Sequence, residues 1–178
     1  MTRPLARFAL ACLAAAGAPL AHAFDLDSAS LPPDGRFAAA QAYDRLDCGG
    51  ANQSPALRWS APPAGTRSFA LTLFDPDAPG GHGWWHWLVL DLPADTRALA
   101  AGAVLPRRAR VWRNSFGHAA YGGPCPPRGD APHHYVLTLY ALPTARTAVP
   151  SDDAAAQVAA TLRRRALGTA RLVGSYAR

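Results

Sequence analysis

A mainly β domain carrying one covering helix is the fold class the sequence predicts, and three observations predict it. Three apolar runs rich in aromatic, Leu and Thr residues stand between turn residues, at Phe69–Phe74, His86–Leu92 and Tyr135–Leu142. Proline and glycine recur in short clusters along the 178 residues, which breaks the chain into brief segments rather than long helices. Only the stretch after Pro150 has clear helical spacing.

Taken in order, Leu57-Arg58-Trp59 is a short strand with alternating character. Phe69 to Phe74, between Arg67 and a proline-rich turn, is a well-buried strand. His86 to Leu92 is a second, stopped by Pro93, and Tyr135 to Leu142 a third, stopped by Pro143. In the predicted helix Ser151 is the N-cap, Asp152 and Asp153 fill the first turn, and Val158, Leu162 and Ala155/Ala159 share a face. Gly168 is its expected stop, and Leu172 to Tyr176 forms a final short strand.

Residues 1–23 have the pattern of a secretory leader. Arg3 and Arg7 precede the apolar Phe8–Leu20, and Ala21-His22-Ala23 fits a small-x-small cleavage site, so the domain is expected to span 24–178 in the periplasm or outside the cell. Lipid attachment at Cys12 is a competing reading, weakened by the short apolar run before it. The run is also too short, and too interrupted by Pro19, to span a bilayer. Loss of two arginines and no acids lowers the formal charge from +6 to +4. All basic residues are Arg and all acidic ones Asp. The clusters Arg107-Arg108-Ala109-Arg110 and Arg163-Arg164-Arg165 are expected on solvated faces, the second at a helix C-terminus, and no nucleic-acid partner is predicted. Cys48 and Cys125 remain after the leader, and an even pair in an oxidising compartment predicts a disulfide, with two buried thiols as the alternative.

Two turns carry the candidate chemistry. Asp75-Pro76-Asp77-Ala78-Pro79 precedes Trp84-Trp85-His86-Trp87, and Tyr121-Gly122-Gly123-Pro124-Cys125-Pro126-Pro127 precedes His133-His134-Tyr135. Proline fixes φ and turns the preceding residue away from helix, so both turns are stiff. If they meet, Asp75 or Asp77 can orient an imidazole of His86 or His133, while Gly122 and Gly123 allow close backbone approach. Tyr121 or Tyr135 would add a hydroxyl donor. Such a pocket takes a phosphate-like anion, with the Asp pair free to receive an ammonium. Should both histidines donate as imidazolium, binding tightens as pH falls through about 6.5.

Each feature also has a plain structural reading. Asp and Pro dominate turns for local reasons. His86, set among tryptophans, could equally be a core residue satisfied by backbone. Strand alternation places only one of His133 and His134 toward the pocket, and His82 and His118 belong in solvated loops. A metal-dependent phosphoesterase built on Asp75, Asp77, His86 and His133 is the enzymatic alternative, without any HxH or HExxH spacing to fix the ligands. Cys125 as a nucleophile is flanked by prolines and has a disulfide partner, and no Gly-x-Ser-x-Gly elbow is present.

The ordered blocks resemble the phosphatidylethanolamine-binding protein family, also called Raf-kinase-inhibitor-like, and its exported bacterial branch. Cys48 to Trp59 is similar to a CxGxNxSPxLxW opening, and Pro63 to Leu71 to a PxGTxSFAL strand entry. The DPDAP turn, Trp85-His86-Trp87, Tyr121–Pro127, His133–Tyr135 and Leu172–Tyr176 follow in order, so the likeness covers nearly the whole mature chain. The resemblance implies a large antiparallel sheet packed on a smaller one, with a few peripheral helices. It also implies a pocket for phosphate, carboxylate or phosphoethanolamine-type groups, formed by Asp75, Asp77, His86, the Gly123-Pro124-Cys125 backbone, His133 and Tyr135, with Tyr121 the further hydroxyl candidate. No cofactor and no general catalytic activity are implied. A phospholipid head group, or a kinase or protease as protein partner, is within the family's range, and the oligomeric state, a homodimer included, stays open. The stretch from Gly80 to Gly83 is shorter than in eukaryotic members, and His134 replaces an Arg. A C-terminal helix at the pocket mouth is expected to be missing, which predicts an open, shallow pocket and argues against a Raf-related role.

Overall fold

The three apolar runs lie side by side at the centre of one sheet. In the computed structural model, which describes residues 24–60 and 62–178, the elements in chain order are β1 (Leu26–Asp27), β2 (Leu57–Trp59), β3 (Ser68–Asp75), β4 (Trp84–Pro93), β5 (Ala98–Leu99), β6 (Arg110–Val111), β7 (His133–Leu142), α1 (Ala155–Arg165) and β8 (Gly168–Tyr176). The predicted leader, Cys12 included, lies outside the described residues. A five-stranded antiparallel sheet has the order β6-β4-β3-β7-β8, and a three-stranded one the order β1-β2-β5. The mainly β class and the two-sheet architecture are as predicted, with one helix among the described residues.

Both faces of the large sheet are buried, which is why its strands are continuous apolar runs rather than alternating ones. Leu26, Leu57, Trp59 and Leu99 of the small sheet pack on Phe69, Leu71, Leu73, Val89, Leu137 and Leu139. On the opposite face Ala70, Leu88, Leu90, Tyr140 and Leu142 meet Val158 and Leu162 of α1. The helix starts later than predicted. Asp153 N–H bonds the carbonyl of Pro150, so Pro150–Asp153 closes as a turn and Ala154, not Ser151, becomes the N-cap. Ala154 N–H is satisfied by Oε1 of Gln157 at 2.7 Å, and Asp152 and Asp153 precede the first turn instead of filling it. Nor does Gly168 end the helix. Leu167 N–H bonds Ala141 O at 2.8 Å, drawing the chain into the sheet, and Gly168 opens β8.

Two irregularities in the β3–β4 pairing decide where side chains point. Phe69 pairs with Leu92 but Leu71 with Val89, so β4 carries an extra residue there, and Asp91 takes a φ of 60°. Its buried carboxylate accepts from Thr147 N at 2.7 Å and from Arg110 Nε at 2.5 Å. Arg110 is thus a structural partner of Asp91 rather than part of a solvated basic cluster. Further along, Leu73 pairs with Trp87 and Phe74 with Trp85, which leaves His86 without a partner on β3. His86 is the bulged residue.

Candidate functional site

A bulge sets consecutive side chains on one side of a strand, and this one does so at the end of the sheet. Trp85 packs with Phe74 and the helix-side cluster, whereas Trp87 belongs to the core facing the small sheet. His86 joins Trp87 on that second side, with its ring edge-on to Tyr135 at 5.2 Å and to Phe116 at 5.5 Å. Only 3% of it is exposed. Nδ1 lies 2.8 Å from Gly122 O and 3.1 Å from Gly123 O. Both oxygens only accept, so Nδ1 carries the proton and Nε2 presents a lone pair with no protein partner among the described residues. Burial is the main cause of a pKa lowered to about 4, which the two carbonyls and the charge of Asp75 partly offset. The backbone-satisfied reading of His86 holds for Nδ1, whereas Nε2 is left without such a contact. The imidazolium donor expected to titrate near 6.5 is replaced by a neutral ring.

Two asparagines that sequence reasoning left without a role hold the second turn against His86. Nδ2 of Asn114 donates to His86 O at 3.2 Å and Ala120 O at 3.0 Å, while its Oδ1 accepts from Phe116 N and His118 N. Asn52 donates to Tyr121 O at 3.2 Å and accepts from Gly123 N at 2.8 Å. A φ of 51° makes Asn52 one of the residue types suited to the left-handed region, and its place in the Gly-rich run after Cys48 is the one signal that could have marked it. Gly123 is required by close approach, since a Cβ there would stand 2.0 Å from Gln41 O. Cys48 and Cys125 form the expected disulfide, with Cα atoms 5.6 Å apart, and tie the same two segments covalently.

Asp75 and His133 make the second half of the cluster, 3% and 5% exposed. His133 Nδ1 is 2.8 Å from Asp75 Oδ2, and the other carboxylate oxygen accepts Asp77 N–H at 2.8 Å. Asp77 turns outward and accepts from both the backbone N and Nδ1 of His134, at 2.7 and 2.8 Å. The His134 N–H is the first cause of an Asp77 pKa held below the usual carboxylate value. His134 is 61% exposed, so alternation on β7 sends only His133 inward, as predicted. His82 and His118 are exposed, also as predicted.

The hydroxyl candidates separate. Tyr121 donates to Gln41 O at 2.9 Å and is spent on structure. Tyr135 is wholly buried, and its hydroxyl has no hydrogen-bond partner among the described residues. Its pKa is pushed up by burial first and then by the charge and nearness of the Asp75 carboxylate, with the Cys125 N–H acting the other way; both groups lie close to the hydroxyl, although neither meets hydrogen-bond geometry. Leaving such a group unsatisfied costs about 1–3 kcal/mol. Among the turn amides, Gly122 N–H bonds His86 O, Gly123 N–H bonds Asn52 and Pro124 has none. The Cys125 N–H lies toward the Tyr135 hydroxyl. No group of three or more His, Cys or Asp side chains among the described residues is placed to hold a metal ion, so the phosphoesterase alternative gains no support. Among them no helix is long and apolar enough to cross a membrane.

The class so defined is a two-sheet β protein with a cluster of buried polar side chains at the end of its larger sheet. The chain belongs to the phosphatidylethanolamine-binding protein family, whose model matches residues 27–177. It is 40% identical to the UPF0098 protein YbcL of Escherichia coli over 162 residues, 88% of each chain. The crystal structure of E. coli YbcL aligns with a TM-score of 0.82 at 39% identity, covering 87% of this chain and 98% of that one. CT736, a homolog from Chlamydia trachomatis, aligns with a TM-score of 0.74 at 29% identity, covering 88% and 98%. A Mycobacterium tuberculosis protein that carries a lipoprotein name, LppC, is 41% identical over 132 residues, 74% of this chain and 64% of that protein.

Proposed function

We propose that this chain is an exported, non-enzymatic binding protein whose site takes a small phosphate- or carboxylate-bearing group, phosphoethanolamine-type groups included. The observation that carries the proposal is the wholly buried, unpartnered hydroxyl of Tyr135. It stands beside the Cys125 N–H and the ring of His86, whose Nε2 is not used by the backbone contacts of Nδ1. A ligand oxygen at this point would accept from the hydroxyl and the amide, and a P–OH or an added proton would engage Nε2. The Asp75–His133 pair supplies a rigid polar wall. The matched phosphatidylethanolamine-binding family and the lipoprotein-named relative support the ligand class and export, as does the disulfide.

Calorimetric titration of the mature chain with inorganic phosphate, phosphoethanolamine and acetate tests the proposal. At least one should bind, and His86→Ala should weaken that binding at least tenfold while the protein stays folded. Absence of binding by all three to folded wild-type protein overturns it. Export is checked by the mass of the protein recovered from the periplasm, expected to begin at Phe24.

A further inference from the structure

The outermost strand of the large sheet, β8, is covered at one end only. Ser175 N–H bonds Gly35 O at 2.8 Å and Phe37 N–H bonds Ser175 O at 2.9 Å, so residues 35–37 close that end of its free edge. Backbone polar groups alternate sides along a strand. Thr169 and Arg171 stand an even number of steps from Ser175, so they too turn N–H and C=O away from β7. Neither finds a backbone partner on that side among the described residues. An edge of this kind is a template for one more strand.

The side chains beside the edge carry one sign of charge. Arg171 of β8 and Arg163 of α1 line a groove of about 400 Å³ on the helix side of the sheet, and no acid lines it. Neither guanidinium forms an ion pair among the described residues, unlike Arg110 on Asp91 and Arg128 on Asp47. The groove floor is apolar, with Val136 beside the rings of Phe74 and Trp85, whose centroids are 4.3 Å apart. Two like charges above such a floor concentrate positive potential with no counter-charge of the protein's own. His86 and Tyr135 lie on the opposite face, so nothing here rests on the ligand proposed above.

A second copy of the chain would satisfy the backbone but not the charge. Antiparallel pairing of β8 with β8 brings Arg163 and Arg171 of both copies to one face without an acid among them, a standard deterrent to self-pairing. Residues 1–23 contain no acid that could answer the arginines. An extended acidic segment of another protein answers both the free edge and the unpaired cations. We propose that the β8 edge is a docking site for such a segment, which adds to the sheet alongside Thr169–Arg171 and presents an Asp or Glu to Arg171 and Arg163. The carboxylate belongs on the residue directly opposite Arg171, which shares its face of the sheet. Two positions along, opposite Thr169, a β-branched residue suits the pleated surface.

The test titrates isotope-labelled mature protein with a short, end-blocked, Thr-rich peptide carrying a central Glu, and with the same peptide carrying Lys instead, read by amide chemical shifts. The Glu peptide is expected to shift the amides of Thr169 and Arg171 and to bind roughly fivefold more tightly than the Lys peptide, because one ion pair is gained and one repulsion avoided. That difference should shrink as salt is raised. Arg171→Glu should reverse the preference, and Arg163→Ser should reduce it. Methylating the backbone nitrogen of the central Glu should weaken binding by removing a hydrogen bond to the edge. No shift at Thr169 and Arg171, equal affinity for the two peptides, or indifference to the methyl group overturns the proposal. Shifts of the same amides that grow with protein concentration in the absence of peptide would give the edge to a second copy and overturn it as well. Both arginines are exposed, so the variants should fold, which an unchanged melting temperature checks.

Discussion

The Nδ1–H of His86 points at the carbonyl oxygen of Gly122, 2.8 Å away, and that contact divides the labour of the ring. One nitrogen anchors the second turn to β4. The other keeps a lone pair at the site, on a ring whose pKa is lowered to about 4.

Anion binding should therefore be coupled to proton uptake. A bound anion favours the imidazolium, raising the pKa of His86 in the complex above its free value of about 4. Affinity rises as pH falls below the pKa in the complex and levels off only near the free value. Sulfate, which stays dianionic over this range, is the clean probe. Calorimetry in two buffers of different ionisation heat should show proton uptake increasing from pH 8 toward pH 5, and no uptake at any pH would remove His86 from this role.

Stability of the unliganded protein should carry the same signature. The unfolded histidine titrates near 6.5 and the folded one near 4, so between these values the unfolded state binds more protons. Stability from this group is complete above pH 6.5 and is lost as pH falls toward 4, on the order of 3 kcal/mol in all. Urea midpoints across this window should slope accordingly. His86→Gln, which keeps an N–H donor but does not titrate, should flatten that part of the slope.

Tyr135→Phe should separate binding from stability. Removing an unpartnered buried hydroxyl relieves desolvation, so the unliganded variant is expected to be as stable as wild type or up to about 1 kcal/mol more so. Ligand affinity should fall about tenfold, the worth of one good hydrogen bond to a charged group. A variant that is clearly less stable would show that the hydroxyl has a partner in the free protein.

Asn52→Ala should destabilise by about 2 kcal/mol, because it strands both Gly123 N–H and Tyr121 O. Asn52→Asp, which keeps the acceptor for Gly123, should lose less. Thermal denaturation of the two variants ranks them, and equal losses would show that the acceptor for Gly123 N–H contributes nothing to the clamp.

Reduction of Cys48–Cys125 should lower stability by about 4 kcal/mol, given that it closes a loop across 77 residues. The mature, denatured, unreduced chain should show no free thiol, and the reduced chain two.

The three central strands of the large sheet were legible because burial on both faces writes them as long apolar runs, as at Phe69–Phe74 and Tyr135–Leu142. Two-residue strands such as Ala98–Leu99 and Arg110–Val111 carry no such pattern, since their pairing is decided by neighbours far away in sequence. The helix was recognisable from Val158 and Leu162, but its start was not, because the Pro150 turn and the Gln157 side chain outcompeted Ser151. At the site, residue types pointed to His86, Asp75, His133 and Tyr135. Their assignments needed coordinates: which tyrosine keeps a free hydroxyl, which turn amide is taken and which histidine nitrogen carries the proton all depend on contacts with Gln41, Asn52 and Gly122.

The bulge at His86 makes the proposed pocket a matter of phase. Deleting Trp85 would restore strict alternation, sending the imidazole to the helix side while the hydrophobic ladder around it could still close. The site would then vanish as abruptly as meaning does after a reading-frame slip, with no intermediate form. Point substitutions around this pocket should therefore tune it by degrees, whereas changes in strand length switch it off.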